Sequence, residues 1–233
     1  MARPQQTRDT AQARGILACP LEALVFLLPL IVLYEVVSRA GGQRVIANDL
    51  IQLFFDLFGR LGGGWAPPLT VVVMLLATQL ASRQRWRVRV SRVLLMYAEA
   101  AVLAVPLIVL SRRLPLGSVL HAASLQDVAL SVGAGVYEEL VFRLVFITVV
   151  MMIGTDVLHL PRGWVTVAAI VLSSIVFAAH HHPPLGSDPF TAGKFAFRTL
   201  AGAYLAVVFW FRGYGPAAGC HAAYNIGIGW LSV

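Results

Sequence analysis

Charge is scarce in this chain. Only 12% of its 233 residues are charged, while 58% are hydrophobic. A soluble globular chain carries about 25% charged and about 45–50% apolar residues. The shortfall excludes a soluble domain with a single core, and it fits a protein whose solvent is lipid. Acids are scarcer still, 11 against 18 Lys and Arg, for a formal net charge of +7. Basic chains often bind nucleic acid. Here the bases sit in short runs between apolar stretches, as membrane topology signals do, so no nucleic-acid partner is expected. There are two cysteines, Cys19 and Cys220, and no CxxC, which removes a disulfide framework. No HExxH occurs, which removes the common zinc-protease helix. No internal repeat is found, against a transporter built on inverted repeats. The polar residues before Cys19 contain no apolar run, so a lipoprotein-type signal is not expected.

What is present is a series of apolar stretches, each near the roughly 20 residues that cross a bilayer as helix. The expected spans cover residues 16–37, 67–80, 93–110, 125–153, 164–180, 195–211 and 217–231, with an amphipathic segment at 46–61 as a candidate eighth. The chain therefore reads as all-α, a polytopic transmembrane bundle of seven to eight membrane helices. Three regions are expected: a polar tail at 1–14, N-terminal membrane helices at 15–94, and a functional core at 95–233. The densest basic run is Arg83, Arg85, Arg87, Arg89 and Arg92. The positive-inside rule places it, with the basic N-terminus, on the cytoplasmic side. An even number of crossings then separates the two, which makes 46–61 interfacial or re-entrant.

Ionisable side chains inside apolar helices cost about 2.5–3.5 kcal/mol each on insertion scales. Three clusters bear that cost. The first is Glu138-Glu139 with Arg143, inside the 125–153 stretch. Glu139 and Arg143 are four apart and share a helix face, so they can pair. Glu138 then points about 100° away and is a candidate general acid or base. An ion pair that fixes packing would explain Glu139 and Arg143, but not the second acid. Gly133 and Gly135 allow a close helix approach just before it. The second cluster is Phe177 followed by His180, His181 and His182. These histidines read either as a helix C-terminal cap or as metal ligands. The third is His221 and Asn225, four apart, able to donate to a developing oxyanion or to join two helices.

Together the clusters resemble the CPBP family of CAAX-processing and bacteriocin-immunity membrane proteases. That family carries EExxxR, FxxxH and HxxxN in this order, here Glu138-Glu139-x-x-x-Arg143, Phe177-x-x-x-His181 and His221-x-x-x-Asn225. The resemblance implies a glutamic-type intramembrane endopeptidase, historically called a metalloprotease. By that resemblance Glu138 activates a water, assisted by His181. His221 and Asn225 hold the oxyanion, and Glu139 and Arg143 orient the site, with Phe177 and His180 in support. No cofactor is implied. If a metal such as zinc takes part, Glu138, His181 and His221 are the expected ligands. The expected partners are the bilayer and a membrane protein or lipidated peptide substrate, and the expected location is the bacterial inner (plasma) membrane. A proton-linked transporter and a non-catalytic scaffold or immunity protein are the alternatives. One geometric difficulty stands out. If 195–211 is a straight span, His181 and His221 start from opposite ends of their helices. Either the proline-rich turn after His182 or a break in that span must bring them together.

Overall fold

The computed structural model describes residues 19–40, 65–113 and 124–231, all in helices and short connections. The expected tail at 1–14 and the amphipathic segment at 46–61 lie outside the described residues. In chain order the helices are α1 (Pro20–Ala40), α2 (Ala66–Ala81), α3 (Val90–Arg113), α4 (Leu125–Val157), α5 (Arg162–Ala179), α6 (Ala192–Arg212) and α7 (Tyr214–Leu231).

Local chemistry sets the boundaries. Proline sits in the first turns of α1 and α2, where its missing N–H costs nothing. Ser124 and Asp127 form a reciprocal capping box that starts α4. Thr191 caps α6 through the Lys194 N–H at 3.2 Å. Gly213, at φ 85°, ends α6 and lets α7 start one residue later. α4 is α-helical from Leu125 to Glu139 and again over Thr148–Met151, with a second π-helical stretch at Met152–Val157. From Leu140 to Ile147 it widens into a π-helical stretch, so the wide turn begins directly after the paired acids and contains Arg143.

Five described helices are long and apolar enough to cross a membrane: α1, α3, α4, α5 and α6. Two other expected spans are helices outside that group. The apolar part of α2, Pro67–Ala81, is shorter. At 1.5 Å per residue its 15 residues reach about 22 Å, against about 30 Å of hydrocarbon. α7 is rich in glycine and alanine, carries His221 and Asn225, and is largely buried in the bundle. Large apolar side chains such as Val73, Leu95, Val102, Trp164 and Leu200 point outward, as lipid requires.

α7 is the hub, packing on α1, α3, α4 and α6. Missing side chains allow this. A Cβ on Gly135 of α4 would lie 2.6 Å from the Ala222 nitrogen of α7, and one on Gly219 would lie 2.6 Å from the Phe26 ring of α1. The start of α1 meets the basic loop, since the Leu21 N–H donates to Gln79 and Arg92 lies 3.5 Å from Glu22. Its far end meets the start of α2, where Arg39 sits 3.6 Å over the Trp65 ring. α1 and α2 therefore run antiparallel, with the N-terminal end of α1 and the basic loop on one face.

Candidate active site

Glu138 and Glu139 stand on the α-helical turn just before the first π stretch of α4, 5% and 0% exposed. Glu139 is taken by structure on two sides. Its Oε2 lies 3.1 Å from Arg143 Nε, and its Oε1 accepts from His221 Nδ1 at 2.9 Å. Arg143 is completely buried. Its Nη2 donates to the Gly202 carbonyl of α6 at 3.1 Å, and the Phe177 ring covers its guanidinium at 4.4 Å. The ion pair expected from the four-residue spacing is formed, and it leaves Glu138 pointing elsewhere.

Glu138 Oε2 faces two imidazoles, each at 3.9 Å: Nε2 of His181 and Nε2 of His221. Hydrogen bonds on the far side of each ring fix the tautomers. A carbonyl and a carboxylate only accept, so Nδ1 carries the proton in both. His181 Nδ1 donates to the Phe177 carbonyl at 2.8 Å and His221 Nδ1 to Glu139. Both Nε2 atoms then turn lone pairs toward Glu138 when the rings are neutral. Gaps of 3.9 Å are too long for direct hydrogen bonds. Burial, then the charges of His180 and Arg198, hold His181 well below the ordinary imidazole range, so it is neutral at pH 7.

Phe177 thus has two functions in its motif. Its carbonyl orients His181, and its ring lies over Arg143 and edge-on to His221 at 5.7 Å between centroids. The same carbonyl accepts from His180 Nδ1 at 2.5 Å, so two neighbouring rings turn Nε2 the same way. His180 is fully buried and packs on His181 at 3.9 Å between centroids. Glu138, His180 and His181 offer ligand atoms all within 4.8 Å of one another. That donor set could hold a divalent cation, with His180 where the sequence suggested His221. Asn225 lies one turn beyond His221, half-buried, and makes no hydrogen bond to these groups among the described residues.

α6 is unbroken from Ala192 to Arg212, so a helix break is not what unites the histidines. The connection after α5 does it. It folds back under His180 and His181, with the Asp188 N–H bonded to the His181 carbonyl at 3.1 Å. A Cβ on Gly186 would lie 2.4 Å from the His180 oxygen. Arg198 of α6 pairs with Asp188, and His182 Nδ1 donates to the Asp188 carbonyl at 2.9 Å. This explains how Arg198 is accommodated near the start of a membrane helix. From the other side, His221 sits two turns into α7, about 10 Å from its start.

Several contributors escaped the sequence reading. They are the Gly202 carbonyl on Arg143, the Tyr214 hydroxyl on the Val136 carbonyl at 2.7 Å, and the Ser173 hydroxyl on the Phe142 carbonyl at 2.8 Å. Each is a side-chain-to-backbone contact between helices, for which a sequence carries no periodic signal.

With this geometry in view, the three motifs fall within residues 121–227, which match the family model described as type II CAAX prenyl endopeptidase Rce1-like. Residues 121–227 form an Rce1-like domain. This is consistent with the CPBP resemblance. Neither the curated proteins nor the solved structures gave a match. The match supports a protease at the level of the family, and the long apolar helices support an integral membrane protein.

Proposed function

We propose that the protein hydrolyses a peptide bond of a membrane-associated protein or lipidated peptide by a glutamic mechanism. The observation that carries this reading is the convergence of His181 and His221 on one Glu138 oxygen, with Glu139 wholly engaged elsewhere. A water between Glu138 and His181 is placed to lose a proton to the carboxylate as its oxygen attacks the scissile carbonyl. The carbonyl π electrons move onto oxygen. As the tetrahedral species collapses, the C–N bond breaks and the proton held by Glu138 passes to the leaving amine.

His221 supports the oxyanion in its imidazolium form. Its Nδ1–H is committed to Glu139, so His221 donates to the oxyanion only with a second proton on Nε2. Asn225 completes the oxyanion site once substrate is bound, its side chain standing one turn from His221. Arg143 holds the Glu139 side chain in line.

No cofactor enters this scheme. Metal analysis of purified protein tests that part. About one zinc per chain would replace the scheme with a metal site on Glu138 and neighbouring histidines. An all-helical build among the described residues supports an inner (plasma) membrane over an outer membrane, whose spanning proteins are β-barrels.

The experiment compares newly formed protein N-termini in membranes of host cells carrying wild type or Glu138→Gln, at matched expression. Gln keeps the shape of Glu and cannot take a proton from water. Termini found only with wild type are expected, and they name the substrates. Identical termini in a host that contains the natural substrate, with both proteins folded, would sink the hydrolase reading in favour of a transporter or scaffold.

A further inference from the structure

The Rce1-like match starts at residue 121, yet the motif helix is also gripped by α1, from outside the match. α1 buries a carboxylate, Glu35, at 5% exposure. The Tyr137 hydroxyl donates to its Oε1 at 3.1 Å, while Arg39 donates to its Oε2 at 2.9 and 3.2 Å. The neighbouring Tyr34 ring stands edge-on to Tyr137 at 5.4 Å. It also fills the space over Gly133, where a Cβ would lie 2.3 Å from it.

Tyr137 immediately precedes Glu138. Adjacent residues on a helix point about 100° apart, so fixing the direction of one fixes the other. The turn that carries them needs this control, because the helix widens into the π stretch directly after Glu139. The Tyr214 hydroxyl on the Val136 carbonyl holds the same turn from α7. Packing alone would not call for a carboxylate here. An apolar side chain of similar volume is often as stabilising as a buried ion pair, or more so.

We infer that Glu35, acting through Tyr137, is a positioning residue that sets the rotation of Glu138 for hydrolysis. This rests on Glu138 being the catalytic base, and the test separates the two claims. The purified full chain is assayed for kcat and KM on a substrate named by the N-terminus comparison, with Glu138→Gln as the first control. Equal rates for wild type and Glu138→Gln overturn Glu138 as the catalytic base, and this inference with it.

With that control passed, Tyr137→Phe and Glu35→Leu are each expected to lower kcat about tenfold, with KM changed less than about twofold, as a small misplacement of a reacting group does. Glu35→Gln keeps an acceptor for Tyr137 and is expected to stay within about threefold of wild type. The double variant Glu35→Leu/Tyr137→Phe is expected to be no slower than the slower single. Multiplying effects, unchanged kcat with only a lower Tm, or Glu35→Gln as slow as Glu35→Leu would each overturn the inference. Should Glu35→Leu fail to fold, Tyr137→Phe alone decides, since a wild-type kcat in that variant refutes the proposal.

Discussion

Replacing Arg143 by Met tests the arrangement of the site independently of any substrate. Arg143 and Glu139 are both fully buried, their charges 3.1 Å apart. Met fills much of the same volume and carries no charge. It leaves the Glu139 carboxylate buried without its cation and the Gly202 carbonyl without its donor. Removing one partner of a buried pair costs about 3–5 kcal/mol. That is a fall of about 10²–10⁴ in the ratio of folded to unfolded protein. Equilibrium unfolding of detergent-solubilised protein, followed by tryptophan fluorescence, measures it. The control is the double variant Arg143→Met/Glu139→Gln. It removes the orphaned charge while the Gln oxygen can still accept from His221 Nδ1. The double variant should recover at least about half of the loss, because most of the cost is the uncompensated charge rather than the missing attraction. A single-variant cost below about 1 kcal/mol, or a double variant as unstable as the two singles summed, would refute the reasoning.

Gly135→Val should destabilise by about 1–3 kcal/mol in the same assay, because the new side chain meets α7 backbone that cannot yield. Gly193→Ala has open space around it and should be neutral or slightly stabilising, and an equal loss at both positions would refute the close-approach argument. The turn carrying His180 and His181 should loosen in acid. Burial works to raise the Asp188 carboxyl, but the hydrogen bond and charge of Arg198, with Lys194, outweigh it and leave it below the ordinary 3.8. Its contribution is therefore complete above that value and is lost as pH falls through the lower folded value. Protease nicking within residues 183–190 should rise in that window for wild type, and Asp188→Asn should remove the pH dependence while nicking faster at neutral pH. If Nε2 of His221 is the proposed oxyanion donor, His221→Phe should lower kcat by about 10²-fold or more with little change in KM, measured on the same cleavage assay.

The sequence by itself determined the solvent and the local chemistry. Hydropathy alone required helices in lipid, because a backbone there must satisfy its own hydrogen bonds. Four-residue spacing alone paired Glu139 with Arg143 and freed Glu138, and His180 and His181 were visible as a cluster. These are short-range facts fixed by helix geometry. Span counting was less secure, because α2 is apolar but short and α7 is a helix whose surroundings are protein.

Only the tertiary structure decided what lies far apart in the chain. His221 reaches Glu139 across 82 residues, Tyr137 reaches Glu35 across 102, and Arg143 reaches Gly202 across 59. It also decided how the two histidines meet, through an inward-folded turn beside an unbroken α6. The turn works because Gly186 admits the backbone beneath His180. The π stretch after Glu139 was illegible for a related reason. Leu140–Ile147 carries no local pattern in the sequence that sets a wide turn apart from an ordinary helical one.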